Sequence, residues 1–256
     1  MVKLEARNIV KYFQHDDYKL KALGGVNLKI QEGDFVCIVG PSGCGKSTFL
    51  RIAAGLEKPE EGDILFDGRP VTNTGPERIM VFQEGALFPW LKVVDNVEFG
   101  LKIAGIPSDE RSQISQRYLD MMQLTRFANS YTYQLSTGMK QRVAIARALV
   151  LDPDVLLMDE PFAALDAQTR ELLLVELQIV WQKTKKTIVF VTHNVAEAIV
   201  LGTKVVVFTN RPAVVKKEVS IDFPRPRLVE DQKLVPQQQE ILAELKPEVK
   251  KRMESE

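Results

Sequence analysis

Apolar positions along this chain change their spacing several times, and each change marks a different kind of element. Val2, Leu4 and Ala6 alternate with polar neighbours, and Val26, Leu28 and Ile30 alternate with Asn27 and Lys29. A period of two predicts strands with one buried face. Glu32-Gly33-Asp34 reads as a turn, and FVCIV at 35–39 is an unbroken apolar run, as in a strand buried on both faces. STFLRIAAGL predicts a helix ending near Gly55, Asp67-Gly68 a hairpin, and IMVF at 79–82 another short strand. From about 84 to 152 helical spacing takes over, in RSQISQRYLDMMQL and MKQRVAIARALV. There Met139, Val143, Ala146 and Val150 fall on one helical face. Strands return at 155–158, 187–192 and 204–208, separated by helices around 167–183 and 194–201.

Strands alternating with helices predict an α/β fold with a parallel sheet. A mainly antiparallel portion precedes that sheet, and a helical insertion interrupts it between Phe82 and Pro153. After Arg211 the pattern weakens. FPRPR (223–227) reads as a proline-rich link, and 231–256 as a charged tail, helical or partly disordered.

Composition narrows the classes without choosing among them. The chain has 256 residues, and Lys+Arg and Asp+Glu both total 34, so no bulk charge favours nucleic acid or anionic membrane. Two cysteines, Cys37 and Cys44, are too few for a disulfide framework and fit a reducing compartment. The first residues lack an apolar leader core, and no run nears 18 apolar residues, so a cytoplasmic-type chain is expected.

The chemistry concentrates in a few short stretches. Gly40, Pro41, Ser42, Gly43, Cys44, Gly45, Lys46, Ser47 and Thr48 match G-x-x-x-x-G-K-[ST] between a buried strand and a helix. Glycines let backbone N–H groups wrap phosphate oxygens, Lys46 reaches the β- and γ-phosphates, and Ser47 can ligate Mg²⁺. The pattern arises by chance in roughly one chain of this length in a hundred, so the match points to a nucleotide site. VLLMDE ends a buried strand on two carboxylates: Asp159 suits the Mg²⁺ shell, and Glu160 a general base, whereas alone the pair is only an acidic strand end before Pro161. Gln83 follows a strand and can offer its amide oxygen to the metal, or simply face solvent. His193 ends TIVFVT, placed either to sense a γ-phosphate or to sit at the surface. LSTGMKQR opens a helix with Ser136 as N-cap. That start is either a capped core helix or an anion site.

In this order the motifs resemble an ABC-transporter ATPase subunit, over about residues 1–230. The resemblance implies a P-loop NTPase fold of RecA-like type, with an N-terminal antiparallel β subdomain and a helical subdomain at about 84–152. It implies ATP and Mg²⁺ as cofactors and ATP hydrolysis coupled to transport. Two subunits would pack head to tail, so that Ser136, Thr137, Gly138 and Met139 contact the ATP held by the partner's P-loop. Gln83 would be the Q-loop residue and a metal contact, Asp159 the Walker B aspartate, and Glu160 the catalytic base. His193 would be the switch histidine, and Asp166 the D-loop aspartate. The adenine-stacking aromatic falls at Phe13, with Tyr12 as second choice. Three positions depart from the pattern. Thr137 replaces a glycine, which costs little at negative φ and is strained at positive φ; the negative value is expected. Met139 stands where glutamine is usual, and Ala163 where serine is usual.

The segment from Gln83 to Leu91 and the later FPRPR resemble the nitrate/sulfonate/taurine importer branch. That branch implies a homodimer or close heterodimer docked under two membrane permeases at the cytoplasmic face of the inner membrane. An extracytoplasmic binding protein would deliver the cargo, and nucleic acid is not an expected partner. Phe88 and Trp90 would either line the permease groove or pack inside the helical subdomain. The rival classes are a nucleic-acid or translation ABC ATPase, a P-loop kinase, and an ABC ATPase for another cargo. The single P-loop and the short insertion argue against the first.

Overall fold

The computed structural model describes residues 1–14 and 18–255. Strands β1 (Val2–Gln14) and β2 (Lys19–Gln31) are longer than the alternating cores that announce them, and pair antiparallel. Next come β3 (Phe35–Val39), α1 (Lys46–Ala53), β4 (Glu61–Phe66), β5 (Arg69–Pro70) and β6 (Arg78–Val81). The hairpin between β4 and β5 turns at Asp67 and Gly68, both at positive φ, as its Asp-Gly pair requires. Helices α2 (Val93–Ile103), α3 (Ser108–Met121) and α4 (Thr137–Leu149) then follow without an intervening strand. The remainder is β7 (Val155–Asp159), α5 (Ala167–Thr184), β8 (Thr187–Val191), α6 (Val195–Leu201), β9 (Lys204–Phe208), β10 (Val215–Ser220) and α7 (Val235–Ser255).

Two sheets result. One is antiparallel, ordered β2-β1-β4-β5; the other runs β10-β9-β3-β8-β7-β6 and is parallel except at β10. Strand alternation assigns the two faces of the parallel sheet to different cores. Val36, Ile38, Leu157, Val189 and Val206 face α1 and the antiparallel sheet. Phe35, Cys37, Leu156, Phe190 and Val205 face the helices. Among the described residues, no helix is long and apolar enough to cross a membrane.

The region after Arg211 is more ordered than its sequence pattern predicts. VKKEVS forms β10 on the sheet edge, where half-buried Lys216 and Lys217 pair with glutamates of α7. The FPRPR segment is no mere link. The Arg227 guanidinium is buried and donates to the carbonyls of Ile199, Gly202, Ile221 and Phe223. Helix α7 buries Ile241 and Leu245 in the helix-side core, and Glu248 binds Lys216 at 3.0 Å and the Asn210 N–H at 3.1 Å.

Candidate functional site

Strand order explains how distant motifs meet. Neighbouring strands β9, β3, β8, β7 and β6 end, at the same edge of the parallel sheet, on Arg211, the glycine loop, His193, Asp159-Glu160 and Gln83. The carboxyl edge of a parallel sheet is where such folds place ligands.

The loop from Gly40 to Gly45 bends tightly, with Gly43 at φ 72° and Gly45 at φ 120°. A Cβ on Gly45 would lie 2.8 Å from Leu23 and 3.1 Å from the Ala22 carbonyl, so only glycine lets the loop press against β2. Lys46 is buried and donates to the Gly40 and Pro41 carbonyls, both at 3.0 Å, curling over the loop. Beside it opens a cleft of about 180 Å³ lined by Phe13, Leu20, Ala22, Gly43, Gly45, Lys46, Ser47, Thr48, Glu160 and Arg211. Phe13 lines this cleft, with Lys11 Nζ 5.7 Å from its ring centre. Tyr12 points elsewhere, its ring covered by Lys19 at 4.2 Å and Lys21 at 5.5 Å. Leu20, Ala22 and Arg211 carry no motif, and only tertiary packing reveals them as cleft residues. Arg211 forms no hydrogen bond or ion pair among the described residues, and its turn is tied to β2 through Ala213 N–H to Ala22 O, 2.9 Å.

The carboxylates sit opposite. Ser47 Oγ donates to Asp159 Oδ1 at 2.8 Å, which brings together two hard oxygen ligands suited to Mg²⁺. Burial pushes the Asp159 carboxyl up; the Ser47 hydroxyl opposes this, and Glu160 next door adds to it. A divalent cation at that pair would relieve both penalties. Glu160 has φ 44°, a left-handed conformation that is costly for a side chain of this kind. In it Oε2 lies 2.9 Å from His193 Nδ1, and Oε1 lies 4.0 Å from Lys46 Nζ. Glu160, His193 and the P-loop lysine thus form one cluster. Gln83 is exposed and does not line the cleft.

The LSTGM stretch lies apart from this cleft. Ser136 is the N-cap of α4, its hydroxyl accepting from the Met139 N–H at 3.3 Å. Thr137 is exposed and helical, outside the positive-φ set, so its branched side chain is unstrained. Gly138 is buried against Thr169 of α5, and Met139 is half-buried. Asp166 caps α5; the Thr169 N–H and hydroxyl hold its carboxyl below the usual range. Neither Ser136, Gly138 nor Asp166 reaches the P-loop cleft of its own chain.

A second concavity, of about 410 Å³, lies between β6, α2 and α4. Phe88 sits in it, half-buried 4.4 Å from the Phe99 ring, while Trp90 is 69% exposed. Phe88 thus packs within the helical region while Trp90 stays at the surface. Arg147 of α4 donates to the Gly85 and Ala86 carbonyls at 2.7 and 2.8 Å, fastening the loop after Gln83 to the helix.

A profile of the ABC transporter family matches residues 23–163. The chain is 50% identical to an uncharacterised ABC transporter ATP-binding protein of Methanocaldococcus jannaschii, covering 98% of this chain and 94% of that one. It is 47% identical to a nitrate import ATP-binding protein of Synechocystis (86% and 83% covered). To a taurine import ATP-binding protein of Pseudomonas aeruginosa it is 42% identical (88% and 86% covered). A dimeric ATP-binding cassette in a post-hydrolysis state, bound to ADP and phosphate, superposes with TM-score 0.76 at 35% identity, over 86% of this chain and all of that one. With a P-loop cleft and two carboxylates at the edge of a P-loop NTPase sheet, and relatives of this similarity, the chain belongs to the ABC transporter family as an ATP-binding subunit that hydrolyses ATP to drive transport.

Proposed function

We propose that this ATPase powers an importer for a small anion such as nitrate, a sulfonate or taurine, working as a dimer beneath two permease subunits. One observation carries the dimer reading: the capped, exposed start of α4 and the Asp166 turn lie outside the cleft that Phe13, Lys46 and Glu160 line. A second copy, or a close relative, would bring Ser136, Thr137, Gly138, Met139 and Asp166 to the open side of the ATP. The nitrate and taurine importers among the relatives support the cargo class. The subunit would sit peripherally at the cytoplasmic face of the inner membrane, with an extracytoplasmic binding protein delivering the cargo.

Within that assembly Phe13 stacks on adenine, and the Gly40–Thr48 stretch cradles the phosphates. Ser47, Asp159 and Gln83 would hold Mg²⁺, which neutralises phosphate charge when bound. Glu160 takes a proton from the attacking water, and His193, already hydrogen-bonded to it, holds it in position. The groove around Phe88 receives the permease, and Trp90 at its rim adds an exposed aromatic contact.

ATP hydrolysis by the purified chain is expected to rise with the square of protein concentration at low concentration. Glu160→Gln should keep ATP binding and lose turnover by about a hundredfold or more. Linear dependence on concentration would overturn the composite-site reading, and brisk hydrolysis by the variant would overturn Glu160 as the base. Cargo is tested by reconstitution with the permeases encoded beside it. Stimulation by the cognate binding protein loaded with nitrate or taurine is expected, and stimulation only by a cargo that carries no oxyanion group would refute this class.

A further inference from the structure

Behind the site lies a charged pair, its carboxylate buried and its guanidinium half-buried, that the mechanism above does not use. Glu197 of α6 has a side chain only 6% exposed, and Arg170 of α5 approaches it at 3.4 Å. Glu197 also accepts a 2.6 Å hydrogen bond from the Thr192 hydroxyl. That hydroxyl in turn accepts from the Asn194 N–H at 3.0 Å, and so pins both sides of His193. Arg170 also donates to the Leu165 carbonyl at 2.7 Å, immediately before Asp166.

These contacts close a circuit. From His193 it passes to the Glu160 carboxylate at 2.9 Å. It continues down the turn through Ala163 N–H to Glu160 O and Leu165 N–H to Phe162 O, each 3.2 Å. From the Leu165 carbonyl it returns through Arg170, Glu197 and Thr192 to His193. Leaving the buried Glu197 carboxylate without its cation is costly, so the circuit resists partial opening. Its two exposed outputs are the γ-phosphate side, at His193 and Glu160, and the partner side, at Asp166.

We propose that Glu197 and Arg170 are positioning residues for hydrolysis, locking the turn that bears Asp166 to the turn that bears His193. Docking of a partner against Asp166 is thereby transmitted to the geometry of Glu160 and His193. This rests on the composite-site reading given above. Neither residue lines the cleft; both act through Thr192 and the Leu165 carbonyl.

The test compares Glu197→Gln, Arg170→Gln and the double variant with the wild type in the full-length chain. Binding of a fluorescent ATP analogue to the dilute protein should stay within about twofold, while kcat at saturating ATP falls about tenfold or more. The double variant should be no worse than the poorer single one, because both break the same circuit. Should those variants fold poorly, Thr192→Val against Thr192→Ser decides, with serine restoring most of the kcat that valine loses. An unchanged kcat, single effects that multiply, or equal loss of affinity and kcat would overturn the proposal. So would a serine variant no better than valine. Concentration dependence separates the two readings: if wild-type hydrolysis is linear in protein concentration the composite site falls, and if it is quadratic while Glu197→Gln is fully active only this inference falls.

Discussion

Thr137 and Gly138 are neighbours with opposite tolerance. Thr137 occupies the first helical position of α4, exposed and outside the positive-φ region, so its side chain displaces nothing. Gly138 is buried, and an added Cβ would press on the Thr169 methyl group of α5. Gly138→Ala is therefore expected to cost about 1–3 kcal/mol by overpacking, while Thr137→Gly should cost under about 1 kcal/mol through added backbone freedom. Thermal melts of the two variants check the order, and a more damaging Thr137→Gly would refute it. The sequence poses this question but cannot answer it, because φ at residue 137 and the position of Thr169 both depend on how α4 meets α5. At the same scale, Phe13 and Tyr12 are equivalent by composition. Only the fold separates them, since Phe13 lines the cleft and Tyr12 does not.

At the scale of elements, α4 couples the ends of two others. Its N-terminus faces outward with Ser136, and one turn from its C-terminus Arg147 grips the loop after Gln83. Burial pushes the Arg147 guanidinium down from its ordinary value, yet it remains a cation at physiological pH. Arg147→Ala removes two charge-assisted hydrogen bonds and should cost about 1–3 kcal/mol locally. The expected outcome is faster amide hydrogen exchange at residues 85–87, with ATP affinity unchanged. Unaltered exchange there would show that the clamp does not hold the loop. The helical spacing of MKQRVAIARALV reveals the helix but not this role, since an arginine at its half-buried edge reads the same whether it meets solvent or two carbonyls.

At the scale of the whole molecule, α7 joins the carboxyl-terminal tail to the sheet edge. Glu248 is 3% exposed, and burial alone would raise its carboxyl. The Asn210 N–H together with Lys216 and Lys251 overcomes this and holds it below the usual carboxylate range. Because the folded pKa is depressed, this contribution is fully present above the unfolded value. It is lost as pH falls through the folded one. Glu248→Gln should lower the melting temperature at pH 7, consistent with a loss of about 1–3 kcal/mol, and the difference should shrink below about pH 4. A difference that persists unchanged in acid would contradict the linkage.

The local chemistry was legible because it is local. A glycine loop between a buried strand and a helix, two carboxylates ending VLLMD-E, and alternating strand and helix periods depend on near neighbours, so the α/β class and the nucleotide site follow from sequence alone. Neither β10 nor the docking of α7 could be read this way. VKKEVS and the charged tail lack strong periodicity, and their order comes from edge pairing and from lysines that meet Glu240, Glu244 and Glu248 only in the fold. Tertiary structure also decided which residues share a space. Strand order β9-β3-β8-β7-β6 sets His193 between the P-loop and Glu160, and brings Arg211 to the cleft. The start of α4, by contrast, is kept away from the cleft of its own chain. Strand order and helix docking are long-range choices among patterns that look alike locally, and they are settled only when the two cores close around one sheet.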